Sequence, residues 1–269
     1  MFFRTASHRQ NRHDPGTRTT ATDVPITSPH NDKLKEIRRL NQRRRDRERA
    51  QRFVAEGEDL LAAADAAGWR PQERFCAAGS GLPGTEVEPA LLAQASELGS
   101  GTRALAVYAE RWAPAPVGPL AVYLHGISDP GNVGAVLRSA HAFGAACVVL
   151  GPGSADPFGP KAVRASMGSI FHVPLARVAA GRLSTLPGVK LALTTQAAAP
   201  LAEQVPPAPP AGGTADGITL LIGAEREGLP PEVLEQADLL ATIPIGIHSL
   251  NAAMAATVAL YELTRMRPG

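Results

Sequence analysis

The stretch that decides the fold is "PLAVYLHGISDPGNVGAVLRSAHAFGAACVVLG", residues 119–151. It begins with an apolar segment, passes through a loop rich in Gly and Pro, and continues as a helix with Gly144 as its expected C-cap. A second apolar segment follows directly. The pattern predicts a strand, a helix and a second, parallel strand. Asn132 stands at the expected start of the helix and Arg138 six residues later, although the neighbouring residues are apolar.

The same alternation continues to the end of the chain. Apolar strands are predicted in "VKLALTTQ", "ITLLIGAE" and "LLATIPI", and helices in "PKAVRASMGSI", "PPEVLEQAD" and "SLNAAMAATVALYELTR". Strands that are apolar throughout and alternate with helices favour an α/β fold with a mostly parallel sheet covered on both faces. The Pro- and Ala-rich insertion at 197–217 has no predicted role.

The part of the chain before this region has a different composition. Residues 1–52 hold 14 Lys and Arg against 6 Asp and Glu, whereas the rest holds 13 against 19. We predict a disordered tail at 1–30, with a transit peptide as the alternative. A basic helix follows at 31–52, and with the α/β unit at 53–112 it forms one domain over 31–112. A linker at 113–119 leads to the second domain, 120–269.

The composition excludes several classes of protein. The hydrophobic content is 44%, yet no apolar run is long enough to cross a bilayer. Cys76 and Cys147 are far apart and lack metal-ligand spacing, so we expect neither a disulfide nor a metal site, as suits a cytoplasmic protein. The chain also lacks the glycine spacing of dinucleotide-binding and P-loop motifs and the G-x-S-x-G elbow of hydrolases.

Three polar clusters follow predicted strands: "SDPGNVG", "GAEREGLP" and "GIHSLN". Because the carboxyl ends of parallel strands meet at one edge of a sheet, we expect the three clusters to converge on one ligand site. Glycines in these loops allow the backbone to approach a ligand closely.

The segments "DPGNVGAVLRSAHAFGA", "LLIGAEREGLP" and "ATIPIGIHSLNAAMAATVALYEL" resemble, in order, the three motifs of the SpoU/TrmH branch of the SPOUT RNA methyltransferases. The resemblance covers roughly 118–265, and 31–112 resembles more loosely the amino-terminal substrate-binding domain of that family. It implies S-adenosylmethionine as methyl donor, an RNA ribose 2′-hydroxyl as acceptor, a trefoil knot near the carboxyl terminus and a homodimer.

The resemblance also assigns roles to individual residues. The positions that match catalytic or substrate-contacting ones are Asn132, Arg138, Glu225, Ser249 and Asn251. The positions that match cofactor contacts are Thr194, Thr195, Gly223, Glu225, Ile243, Ile245, Leu250 and Asn251. The structural alternatives are an N-cap for Asn132 and for Ser249, an outward-facing or interface arginine for Arg138 and a surface carboxylate for Glu225. A guanidinium stays protonated, so we favour a phosphate contact for Arg138 over the role of general base.

RNA contacts are expected from basic side chains on both domains. They are Lys33, Lys35, Arg38, Arg39 and Arg43 on the basic helix, and Lys161 and Arg164 in "GPKAVRASMG". Solvated helix faces are the alternative. The family resemblance thus implies an S-adenosylmethionine-dependent 2′-O-methyltransferase that acts on 23S ribosomal RNA. The alternatives are a transfer RNA methyltransferase and a non-catalytic RNA-binding or ribosome-assembly protein of the same fold.

Overall fold

A computed structural model describes residues 24–98, 101–197, 199–204, 217–246 and 249–266. Most of the tail predicted at 1–30 and most of the 197–217 insertion lie outside these residues. The described part of the tail corrects the prediction, because Ile26 forms a parallel bridge to Val87 and its N–H donates to Glu86 O at 2.8 Å. This pairing fixes residue 26 at the edge of a sheet.

The described residues of the amino-terminal domain form a four-stranded sheet and four helices. The strands are β1 (Arg52–Glu56), β2 (Glu73–Ala77), β3 (Thr85–Val87) and β4 (Ala104–Ala109). The helices are α1 (Asp32–Gln42), α2 (Arg44–Ala50), α3 (Glu58–Ala66) and α4 (Pro89–Ala95). The strand order is β1-β4-β2-β3, and β4 pairs antiparallel with both of its neighbours.

The basic helix predicted at 31–52 is divided in two. Arg43 has extended backbone angles (φ −129°, ψ 117°), so α1 ends before it and α2 begins after it. The apolar stripe of α1, Leu34, Ile37 and Leu40, packs on one face of the sheet together with residues of β1, β2 and β4. The opposite face of this sheet is therefore available to the second domain.

The second domain confirms the predicted parallel α/β architecture. Its strands are β5 (Leu120–Leu124), β6 (Cys147–Leu150), β7 (Leu175–Arg177), β8 (Val189–Leu193), β9 (Ile218–Ile222) and β10 (Leu239–Ala241). Its α-helices are α5 (Pro130–Ala142), α6 (Pro160–Ala165), α7 (Leu201–Gln204), α8 (Pro231–Leu234) and α9 (Ala252–Met266). All paired strands are parallel, in the order β10-β8-β9-β5-β6-β7. The three-residue strand β7 escapes prediction because it is too short to show periodicity.

The two domains share one apolar core. Phe53 of β1 packs 4.8 Å from Phe158 and 6.1 Å from Phe171, measured between ring centroids, and both partners belong to the second domain. Trp69 donates its indole N–H to Phe171 O at 2.8 Å. Arg47 of α2 forms a buried ion pair with Asp156 at 2.8 Å. Residues 113–119 therefore connect two domains that are already packed together.

Candidate active site at the carboxyl ends of the parallel strands

The first polar cluster follows β5 and begins α5. Asp129 is the N-cap of this helix, since its Oδ1 accepts the Gly131 N–H at 2.6 Å. The same oxygen binds Lys161 Nζ at 2.9 Å, and these contacts hold the pKa of Asp129 below its usual value. Asn132, which the sequence allows as the cap, lies instead inside the first turn. Its amide is therefore available for contacts outside the helix.

The third polar cluster leads into α9, and its cap also differs from the sequence-based alternative. Asn251, not Ser249, is the residue before the helix, and its Oδ1 accepts the N–H groups of Ala253 and Met254 at 2.9 and 3.2 Å. An asparagine side chain that accepts in this way fixes the orientation of its own amide nitrogen. In Asn251 that nitrogen points away from the helix.

Asn132, Glu225 and Asn251 form one hydrogen-bonded triad, which confirms that the three clusters converge. Glu225 Oε1 accepts from Asn132 Nδ2 at 2.6 Å and from Asn251 Nδ2 at 2.6 Å. Asn251 Nδ2 also donates to Asn132 Oδ1 at 3.0 Å. Each side chain comes from a different polar cluster, and 119 residues separate the two asparagines.

The hydrogen-bond inventory of the triad leaves specific groups for a ligand. Asn251 uses both amide hydrogens within the triad and its oxygen on α9. Asn132 donates one of its two amide hydrogens to Glu225. Glu225 Oε2 accepts no hydrogen bond from the described residues. One N–H of Asn132 and one carboxylate oxygen of Glu225 are therefore directed to solvent or to a bound molecule.

A cavity of about 490 Å³ adjoins the triad at the carboxyl ends of β8, β9 and β10. Its lining includes every predicted cofactor-contacting residue except Asn251, and also the predicted catalytic residue Ser249. These residues are Thr194, Thr195, Gly223, Glu225, Ile243, Ile245, Ser249 and Leu250. Prediction missed other lining residues, among them Gln196, Arg226, Leu229, Leu234 and Ala255. Leu234 and Ala255 lie on helices, where a sequence gives no sign of which residues face a cavity.

The loop after β9 folds back on itself and carries Glu225 at its turn. Ala224 and Gly228 exchange backbone hydrogen bonds at 3.1 and 2.9 Å. A Cβ on Gly223 would lie 2.2 Å from the carbonyl carbon of Gly228, so only glycine permits this approach. Gly228 has a φ of +70°, which also favours glycine. The two glycines thus position the carboxylate where it both joins the triad and lines the cavity.

Arg138 does not join the triad. It is exposed on α5, and no described residue forms a hydrogen bond or ion pair with its side chain. Beside α5, helix α9 exposes large apolar side chains on one stripe: Met254, Val258 and Tyr261 are 62%, 42% and 54% exposed. Ser139 and Thr257 join the two helices through a hydrogen bond of 2.6 Å. Arg138 therefore lies on the α5 and α9 surface, which includes an exposed apolar stripe.

The other basic residues predicted to contact RNA lie apart from the triad, except for Lys161. Lys161 pairs with Asp129, which lies three residues before Asn132 of the triad. Arg164 is exposed on α6. The bases of α1 lie on the face of the amino-terminal sheet that is remote from the second domain. Several already have partners: Lys33 binds Glu73, Lys35 binds Asp32, and Arg38 donates to Pro29 O.

The described ranges offer neither a metal-binding cluster nor a membrane span. These residues contain no group of three or more His, Cys, Asp and Glu side chains that could hold a metal ion. They contain no helix long and apolar enough to cross a membrane. Cys76 and Cys147 are buried free thiols, and burial raises the pKa of both.

Comparison with protein families identifies the class of this chain. The model described as the SpoU rRNA Methylase family matches residues 119–261, more than half of the chain. The MRM3-like substrate binding domain matches residues 31–111. The chain therefore belongs to the SpoU rRNA methylase family, as the three sequence motifs predicted.

Two curated relatives show which reactions similar proteins carry out. The 23S rRNA (guanosine(2553)-2′-O)-methyltransferase of Bacillus subtilis is 35% identical over 149 residues, 51% of this chain and 54% of that protein. The 23S rRNA (uridine(2479)-2′-O)-methyltransferase of Streptomyces viridochromogenes is 35% identical over 150 residues, 52% of this chain and 50% of that protein. The chain spans about half the length of the curated relatives it matches.

Two solved structures match both domains. The AdoMet-bound rRNA methyltransferase of Sinorhizobium meliloti has a TM-score of 0.78 at 27% identity, over 91% of this chain and 99% of that one. The SpoU methyltransferase AviRb of Streptomyces viridochromogenes, in complex with the cofactor AdoMet (S-adenosylmethionine), has a TM-score of 0.74 at 28% identity. That match covers 88% of this chain and 98% of AviRb.

Proposed function

We propose that the protein transfers a methyl group from S-adenosylmethionine to a ribose 2′-hydroxyl of ribosomal RNA, in the cytoplasm. The observation that carries the proposal is the triad of Asn132, Glu225 and Asn251 beside a 490 Å³ cavity. The matching SpoU rRNA Methylase family and two relatives that act on 23S rRNA favour ribosomal RNA over transfer RNA.

The cavity suits S-adenosylmethionine in size and chemistry. Its volume is within the range of about 300–1,000 Å³ that is usual for small-molecule sites. Ile243, Ile245 and Leu250 offer apolar contacts to an adenine ring, and backbone groups beside Gly223 offer hydrogen bonds. Glu225 places a carboxylate in the lining, where it attracts the positive charge of a sulfonium. When bound, this cofactor supplies the electrophilic methyl group.

The triad orients the accepting ribose. We propose that Glu225 Oε2 accepts a hydrogen bond from the 2′-hydroxyl and takes its proton as the methyl group is transferred, and that the remaining amide hydrogen of Asn132 contacts the hydroxyl oxygen. Two contacts of fixed geometry would hold the hydroxyl beside the cofactor cavity, and positioning of this kind lowers a barrier by several kcal/mol. Asn251 acts by fixing the other two side chains, and Ser249 contacts the cofactor from the cavity wall.

We propose a homodimer in which Arg138 serves the site of the partner subunit. Arg138 is exposed beside the stripe of Met254, Val258 and Tyr261. Neighbouring exposed apolar side chains of this kind favour burial against another protein surface. Across such an interface, the guanidinium can bind a phosphate next to the target ribose and stabilise negative charge on the oxygen. The family resemblance further leads us to propose a trefoil knot formed by the segments around β8, β9 and β10.

The test is methyl transfer by the purified protein with radiolabelled S-adenosylmethionine, with ribosomal RNA and transfer RNA compared as acceptors. We expect label in ribosomal RNA, at a nucleotide whose 2′-O-methylation is absent from cells that lack the gene. Binding of RNA without detectable binding of S-adenosylmethionine would instead support the non-catalytic alternative. Arg138→Lys should be slow, because lysine cannot make a bidentate phosphate contact, and a normal rate would exclude that role.

A further inference from the structure

A second hollow, of about 390 Å³, lies between the two domains at the carboxyl ends of β6 and β7. Its lining includes Arg44 of α2, Trp112, which follows β4, Arg177, the last residue of β7, and the loop 151–154. We call this hollow the interdomain cleft. The mechanism proposed above uses none of its residues.

The interdomain cleft is connected to the cofactor cavity by a third hollow of about 360 Å³. This third hollow shares Pro152 and Gly153 with the cleft and Ala224 and Glu227 with the cofactor cavity. All three follow the same edge of the sheet, from β9 past β5 and β6 to β7. Three interstrand steps amount to about 14 Å, a distance that a few nucleotides can span.

A stacked cation and aromatic ring form the most specific feature of the cleft. Arg177 Cζ lies 3.8 Å from the ring centre of Trp112. Trp112 is held in place because its Nε1 donates to Glu110 Oε2 at 3.0 Å and its ring meets Phe158 edge to face. The side chain of Arg177 is nevertheless 46% exposed, so the guanidinium presents a flat surface to solvent.

The cleft also carries basic side chains. Its described lining includes Arg44 and Arg177 and no acidic side chain. Glu48 binds Arg44 at 2.9 Å and approaches Arg177 only to 4.0 Å. A guanidinium has five N–H donors, so both arginines keep donors for a further anion.

We propose that the interdomain cleft binds a single-stranded nucleotide that flanks the methylated one. The base stacks on the guanidinium of Arg177, and a backbone phosphate pairs with Arg44. Flat aromatic and guanidinium surfaces next to cations are the usual means of holding unpaired RNA bases. The inference rests on the proposed function, since it places the flanking nucleotide of that RNA substrate.

The experiment uses the fluorescence of Trp112 in the full-length protein, titrated with a short single-stranded oligoribonucleotide. The chain has two tryptophans, and Trp69 is buried with its N–H bonded, so it gives a constant background. We expect the RNA to quench the fluorescence, and Trp112→Phe to abolish the change. Arg177→Ala should weaken binding about tenfold.

Two further variants separate stacking from charge. Arg177→Lys keeps the charge and loses the flat surface, so it should also bind weakly. Arg44→Ala should reduce the slope of log affinity against log salt by about 1. Arg182→Ala removes an exposed arginine outside the cleft and should bind like the wild type. Wild-type affinity in Arg177→Lys, or equal binding of a duplex, would overturn the stacking proposal.

Methyl-transfer kinetics distinguish failure of this inference from failure of the proposed function. In Arg177→Ala we expect KM for RNA to rise about tenfold, with the Kd for S-adenosylmethionine and the thermal unfolding midpoint unchanged. An active variant with unchanged KM would overturn the inference alone. Absence of transfer to any RNA by the wild type would overturn the proposed function and, with it, the assignment of the cleft to a methylation substrate.

Discussion

Asn251 performs two separable tasks, and substitutions can tell them apart. Its amide nitrogen donates to Glu225 and Asn132, while its oxygen caps α9 by accepting two backbone N–H groups. Serine is also a good N-cap but cannot supply two amide hydrogens. Asn251→Ser therefore keeps the cap and loses the triad, whereas Asn251→Ala loses both.

The magnitudes follow from the contacts. Loss of an N-cap costs about 1 kcal/mol, so Asn251→Ala should unfold about 2–4 °C below Asn251→Ser. A hydrogen bond to a carboxylate contributes about 1.5–3 kcal/mol, and the exposure of Glu225 favours the lower value. If this positioning is needed in the transition state, kcat falls about tenfold in both variants.

The assay measures kcat at saturating RNA and S-adenosylmethionine together with the thermal unfolding midpoint. Asn31 provides a matched control, since its Oδ1 caps α1 by accepting the Lys33 N–H at 3.0 Å, far from the triad. Asn31→Ala should lower the midpoint relative to Asn31→Ser and leave kcat unchanged. A wild-type kcat in Asn251→Ser would refute the positioning role, and equal midpoints for Asn251→Ser and Asn251→Ala would refute the cap.

Three other predictions concern stability and assembly. Asp156→Ala leaves Arg47 buried without its partner and should cost about 3–5 kcal/mol in denaturant unfolding, whereas Arg103→Ala, at the exposed pair of Arg103 and Glu58, should cost about 0–1 kcal/mol. Burial raises the pKa of Glu110, so ionisation of this carboxyl group opposes folding at neutral pH. Glu110→Gln removes that cost and should raise the thermal unfolding midpoint at pH 7. The gain in midpoint should vanish below the usual carboxyl pKa of about 4.3, where the group is protonated in both states. Tyr261→Glu places a charge on the apolar stripe of α9 and should convert the proposed dimer to monomers in analytical ultracentrifugation, while a dimer that persists would exclude this interface.

The parallel sheet and the convergence of the triad could be predicted because both depend on local patterns. A strand such as β9 can be recognised from its continuous run of apolar residues, and the loops that follow parallel strands meet at one edge of the sheet. The caps could not be predicted in the same way. Asp129 and Asn132 both stand near the start of α5, and Ser249 and Asn251 both precede α9. In each case backbone geometry selects between two residues that can cap equally well.

The contact between the domains could not be predicted, because it depends on residues far apart in the chain. Arg47 belongs to a strongly basic segment, and its charge suggests a solvated or RNA-binding residue. Its buried partner, Asp156, is 109 residues away. The same holds for Phe53 and Phe171, whose sequence neighbourhoods indicate burial but not the surface against which they pack.

The aromatic core shared by the two domains has a consequence for substrate choice. Rotation of one domain relative to the other would expose the rings of Phe53, Trp69 and Phe171 to water. The contact between the domains is therefore rigid. Under the proposed function, an RNA that contacts both domains meets two surfaces whose separation is fixed, with the cofactor cavity at a constant distance from the amino-terminal domain. The proposal then implies that the nucleotide is selected by its distance from the contacts on that domain, and that the RNA adapts its shape to the protein.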